Sequence, residues 1–206
     1  MLSNYERVLL QMPERFLQYD QSPMCSSYAH DRDYFYLRML GRPYRVSRAA
    51  GTVSRQTESG DWASAGYHEA MTIYDLLCCA RPDRQLSGRY CRAENLHGTA
   101  YGANPAGEML APFAAVCDRA PEQLAAACRA LGGVALPVGE VSFQLQLFDE
   151  LPLILQFWSS DAEFPPELKL MWDENTLQFL KFETVWYAAS CLIERLTAWM
   201  ETRRIE

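Results

Sequence analysis

Residues 141–158 read VSFQLQLFDELPLILQFW, and this stretch decides the fold class. In its first half Val141, Phe143, Leu145 and Leu147 alternate with Ser142, Gln144 and Gln146, the two-residue period of a strand with one buried face. Asp149-Glu150 makes a turn too short for a crossover helix, so the next strand must return antiparallel. That strand, LPLILQFW, is apolar almost throughout, as expected in the middle of a sheet. LKLMW, 168–172, supplies a third strand, again after a connection too short for a crossover. Beyond it Phe182, Val185, Trp186, Ala189, Leu192, Ile193, Leu196 and Met200 fall at helical spacing and predict a long amphipathic helix over 182–201.

Working toward the N-terminus, YFYLRML (34–40) and PYRVS (43–47) flank Gly41-Arg42 and read as a hairpin. Short strands are expected near 52–55 and around Tyr90-Cys91. Helical segments are expected over 3–19, with a break at Pro13, and from a Ser64 cap to near Arg81, where Pro82 follows. Two more are expected near 106–118 and 121–131, with Pro121 in the first turn of the second. SPMCSSYAHD, 22–31, reads as a loop. The sum is a single α+β domain over residues 1–206. Its mainly antiparallel sheet, from the hairpin 34–47 and the meander 140–172, is packed by helices.

Hydrophobic residues make up 49% of the 206, enough for a sizeable core. No apolar run is long enough to span a bilayer, and MLSNYERVLLQMPERF lacks the basic-then-apolar order of a secretory leader. Seven cysteines at irregular spacing do not form a disulfide framework, so reduced thiols and a cytoplasmic location are expected. The net charge of −7 is uneven. Residues 38–92 hold nine Arg against five acids, whereas 140–206 hold five bases against twelve acids. Overall acidity argues against nucleic acid and against anionic membrane surfaces, while the asymmetry suits a protein partner or a small anionic ligand. The oligomeric state is not legible.

Several side chains are candidates for chemistry. Arg38, Arg42, Arg45 and Arg48 cluster on the hairpin, and Arg38, Arg45 and Arg48 are candidates to grip a phosphate or carboxylate. The alternative is a solvated hairpin facing the acidic C-terminal third. The row Gln144, Gln146 and Gln156 either lines a ligand cleft or forms a wet sheet face. Asp161 and Glu163, two apart in WSSDAEFPPELKLMW, point the same way in extended backbone and would suit a hard cation. They equally suit a charged connection stiffened by Pro165-Pro166, or a partner-docking loop. Cys91, between Arg89 and Arg92 with His97 nearby in sequence, is the candidate thiol nucleophile. No phosphate loop, nucleophile elbow or zinc-finger spacing is present, and no cofactor is assigned.

The same C-terminal stretch carries a resemblance. EVSFQLQLFDELPLILQFWSSDAEFPPELKLMWDENTLQFLKFETVWYAASCLIERL, with MLGRPYRVS and HEAMTIYDLLCCARPDRQLSGRYCRAENLHG, resembles an uncharacterised prokaryotic family, a domain of unknown function. The shared pattern is an alternating strand, an acidic turn, a tryptophan leading to D-x-E-F-P, and a closing helix. Tyr90, Trp172 and Phe182-Glu183-Thr184 depart from it, the last where an acidic pair is common. The resemblance implies a fold and no reaction. Some relatives resemble fusions to an iron–sulfur segment, which implies redox metabolism as context. The sequence therefore leads to an accessory or binding protein for a small ligand or protein partner. The alternatives are an enzyme built on Asp161 and Glu163 or on Cys91, and an accessory factor of iron–sulfur metabolism.

Overall fold

The computed structural model describes residues 4–96 and 105–203. The chain starts with α1 (Asn4–Phe16) and α2 (Ser22–Ser27), then β1 (Ala29–His30), β2 (Tyr34–Met39), β3 (Arg42–Ser47), β4 (Val53–Gln56) and β5 (Trp62–Ser64). After α3 (Tyr67–Cys79) comes β6 (Tyr90–Arg92), followed by α4 (Pro105–Cys117) and α5 (Pro121–Ala130). The last third is β7 (Val134–Ala135), β8 (Val141–Phe148), β9 (Leu151–Trp158), β10 (Glu167–Asp173) and α6 (Phe182–Thr202). The fold is α+β.

All strands belong to one sheet in the order β5-β4-β3-β2-β8-β9-β10-β6, with β1 added on β2 and β7 on β8. Every pairing is antiparallel. The sheet is two meanders joined at one place, where Met39 pairs with Phe148 and Leu40 N–H donates to the Leu147 carbonyl at 2.9 Å. A register shift in β8 between Gln146 and Phe148 sits beside that seam.

The helices cover one face. α4 lies on β10, α5 on β8 and α6, and α3 against α6 and α1. Leu145, Leu153, Leu155, Phe157 and Trp172 point into this core and are buried. Each such side chain contributes about 1.5–3 kcal/mol relative to exposure. β9 alternates: Ile154, Gln156 and Trp158 on its second face are only half-buried. An isolated apolar run thus overstates burial on both sides.

Three local features differ from the sequence reading. Residues 22–27 form α2 rather than loop, with Pro23 in the first turn and Met24 buried; six residues are too few for helical periodicity to show. α1 continues through Pro13, which lies in its last turns and removes only one donor there. The α3 cap is Gly66, not Ser64, which ends β5. The Glu69 carboxylate accepts the Gly66 N–H at 2.7 Å, so a carboxylate inside the helix replaces a hydroxyl before it.

The β2–β3 turn is Leu40-Gly41, one residue earlier than expected, with φ +50° and +75°. Gly41 suits that region, but Leu40 does not. Leu40 is held there because its side chain is buried, its N–H bonds to β8, and its carbonyl accepts from Arg195 at 3.1 Å.

Candidate functional site

Strand parity sorts the hairpin arginines. Phe35 and Met39 of β2 and Tyr44 and Val46 of β3 are buried on the helix side. Arg42 shares the parity of Tyr44, and Arg55 pairs with Tyr44 across β3 and β4, so both lie on the inner face. Arg38 and Arg45 have the opposite parity.

Beneath the inner face a cleft of about 580 Å³ opens between the β2–β4 meander and the C-terminal half of α6. Its floor is Glu69, whose side chain is 9% exposed. One Glu69 oxygen accepts the Tyr44 hydroxyl at 2.6 Å and lies 3.7 Å from Arg42. The other accepts the Gly66 amide at 2.7 Å and Arg55 at 3.2 Å. Burial, then the charge and hydrogen bond of Glu69, push the Tyr44 phenol up, so it stays a donor. Arg195 of α6 completes the wall. Burial and the neighbouring Arg42 pull its pKa below the usual guanidinium value. Among the described residues no carboxylate lies within ion-pair distance of Arg195, which donates to the Leu40 carbonyl at 3.1 Å. Three guanidinium groups thus face one buried carboxylate. At the mouth, Arg203 stacks over Trp199 at 4.6 Å, and Glu194 accepts from or pairs with His68 Nδ1 at 2.8 Å.

The expected ligand-binding residues lie elsewhere. Arg38 donates to the Gly41 carbonyl at 3.3 Å, and it pairs across the hairpin with Pro43 rather than facing Arg48. Arg48 reaches the Asp31 carbonyl at 2.8 Å and covers Phe35. Arg45 is sandwiched between Tyr34 and Trp62 at 4.3 and 4.5 Å, a cation–aromatic stack on the outer face. Gln144 and Gln156 sit half-buried and Gln146 exposed, on the sheet side away from α5, with β7 alongside Gln144. No hydrogen bond or ion pair joins this row to the arginines among the described residues.

Asp161 and Glu163 occupy the β9–β10 connection. One Asp161 oxygen accepts the Glu163 and Phe164 amides, each at 2.8 Å, and these hold its carboxyl below the usual range. The loop presents Phe164, 66% exposed, at its tip. Of the two tryptophans that bracket it, Trp172 is fully buried, while Trp158 is half-buried under Lys169 at 4.3 Å. Among the described residues no group of three or more His, Cys, Asp or Glu converges as a metal site would.

Cys91 pairs with Trp172 at the sheet edge. Arg89 is taken by Glu174 at 2.6 Å and Arg92 by Glu167 at 3.0 Å, so neither is free to favour a thiolate. Burial, followed by Glu174, Asp173 and Glu94, pushes the Cys91 thiol up, opposite to the sequence expectation. His97 lies outside the described residues. Because the raised thiol stays protonated below its folded pKa, Cys91 should alkylate more slowly at neutral pH than a free cysteine and gain rate only at higher pH than a free cysteine does. Mass spectrometry after timed iodoacetamide treatment measures this, and full labelling at pH 7 at the free-cysteine rate would contradict it.

Sequence reasoning missed Arg55, Arg195 and Glu69 as one constellation. The available signal was parity: Arg42 with Tyr44 and Val46, and Arg55 with Val53. A smaller apolar cavity of about 140 Å³ lies between α4, β10 and α6 beside Trp172 and Trp186.

Residues 23–195 match a family described as a domain of unknown function (DUF3786). No curated protein and no solved structure matches the chain.

Proposed function

Since the chain belongs to this family of unknown function, which brings no reaction with it, we propose from the cleft alone that the protein binds a small anionic molecule. The carrying observation is Arg195, a half-buried guanidinium beside Arg42 that, among the described residues, is held by the Leu40 carbonyl and by no carboxylate. A guanidinium partly withdrawn from water is commonly met by an anion, and an anionic ligand would supply one here. The cleft volume is in the range of small-molecule sites. The reading is of a binding or accessory protein, placed in the cytoplasm on the strength of its seven free cysteines.

The alternatives have less support. Asp161 already serves two backbone amides, and the Cys91 thiol is raised rather than lowered. An iron–sulfur role rests on the resemblance alone, and four of the seven cysteines are half-buried while three are buried without converging.

Titration calorimetry with citrate, phosphate and acetate tests the reading. Wild type should bind at least one of them, and Arg195→Gln should weaken that binding about tenfold or more, the loss of one charge-assisted bond. Arg55→Gln, at a side chain 41% exposed, serves as a variant that should fold normally and show the same loss. Equal affinity in both variants would refute the cleft as the site.

A further inference from the structure

The local charge in the cleft is specific enough to say more about the ligand. Arg42, Arg55 and Arg195 carry three positive charges, and Glu69 is the one carboxylate bonded among them. Two positive charges remain without a counter-charge at the inner end. A monoanion would leave one of them; a dianion balances both.

The three groups also approach from different elements: Arg42 from β3, Arg55 from β4 and Arg195 from α6. A carboxylate holds its two oxygens and their lone pairs in one plane, which a single guanidinium fork can engage edge-on. Donors arriving from three sides suit an acceptor whose oxygens point three ways, as the three terminal oxygens of a phosphate monoester do. The four arginines of the cleft, with no lysine among its described lining residues, also favour recognition by oriented donors over a point charge.

Size argues for more than bare phosphate. Inorganic phosphate takes about the space of two or three waters, on the order of 60–90 Å³ at roughly 30 Å³ per water. The cleft is about 580 Å³. Its outer part is lined by Thr57, Glu58, Glu194 and Arg203, with Trp199 on one side. Hydroxyl and carboxylate groups there accept hydrogen bonds from ligand hydroxyls.

Resting on the anion-binding reading above, we propose that the ligand is an organic phosphate monoester. Its dianionic head sits on Arg42, Arg55 and Arg195, and its hydroxyl-bearing body extends along Thr57, Glu58 and Trp199. A sugar phosphate or a nucleoside monophosphate has this chemistry. The two sources differ in whether a planar base is present to meet Trp199.

The test is titration calorimetry of the full chain with ribose 5-phosphate, glycerol 3-phosphate, adenosine 5′-monophosphate, inorganic phosphate, malate and ribose. At least one phosphate ester should bind about tenfold or more tightly than inorganic phosphate and malate, and ribose should show no binding. Arg195→Gln and Arg55→Gln should each weaken the ester about tenfold, and Trp199→Leu should weaken the nucleotide alone if a base is present. Malate matching or exceeding every ester overturns the phosphate assignment while leaving the anion-binding reading standing. Inorganic phosphate matching every ester overturns the claim of an organic body. No binding by any anion, in wild type as in the variants, overturns the anion-binding reading together with this proposal.

Discussion

Asp173→Ala is expected to lower the free energy of unfolding by about 3 kcal/mol or more, measured by urea denaturation. Asp173 is fully buried at the end of β10. One oxygen accepts the Ser87 and Asn175 amides at 3.0 and 2.8 Å, and the other accepts the Gly88 amide at 2.8 Å. Its removal strands three backbone donors, each worth about 1–3 kcal/mol when left unsatisfied. The loss should be local as well as global. The 81–89 segment is otherwise held by Arg84 on Glu150 at 2.8 Å, Arg89 on Glu174 and bonds of Arg81 and Gln85 to Gln178, and none of these replaces the Asp173 contacts at 87–88, so limited proteolysis should cut the variant there first. Asp173→Asn retains one acceptor oxygen and should lose less. An alanine variant as stable as wild type would show that the amides find other partners without the carboxylate.

Glu69→Ala is the second large effect, expected at about 3 kcal/mol, because it strands the Tyr44 hydroxyl and the Gly66 amide at about 1–3 kcal/mol each. Glu69 is the counter-charge for Arg42 and Arg55, the acceptor of the Tyr44 hydroxyl, and the carboxylate that closes the first turn of α3. Without it three cations face one another in a partly buried space. The variant should therefore be stabilised by added phosphate more than wild type is, because an anion can now enter at the floor as well. Thermal shift against phosphate concentration reads both numbers in one experiment. A small loss with no phosphate response would remove the electrostatic account of the cleft.

The large elements were legible because their signals are periodic. Alternation in VSFQLQLF set β8, the short turn at Asp149-Glu150 forced an antiparallel return, and the apolar stripe from Phe182 to Met200 set α6. The Gly41 region marked the hairpin to within one residue. β1, β5 and β7, of two or three residues, span no more than one and a half periods of the two-residue strand pattern, too little repetition to register, and left no trace. The joining of the two meanders was also hidden, because one residue pair carries it and nothing local encodes a pairing between distant positions.

The arginine cleft was illegible for a different reason. The sequence shows that arginines cluster on the hairpin, but their count ignores which way each one points. Arg45 looked the equal of Arg42, yet one residue of parity puts it on the opposite face, between Tyr34 and Trp62. Arg195 lies on a helix more than a hundred residues away, among side chains read only as an amphipathic stripe. Its role emerges only when α6 is laid against the hairpin turn.

The narrow seam between the meanders also orders the events of folding. Within each meander most neighbours in space are neighbours in sequence, so their ladders close small loops at low entropic cost. The seam must instead close a loop of over a hundred residues for one residue pair and its adjoining bonds. The topology therefore places its formation late, after both ladders exist. Leu40, at the seam, is also the residue whose carbonyl Arg195 holds, so the arginine cluster assembles only in molecules that have finished folding.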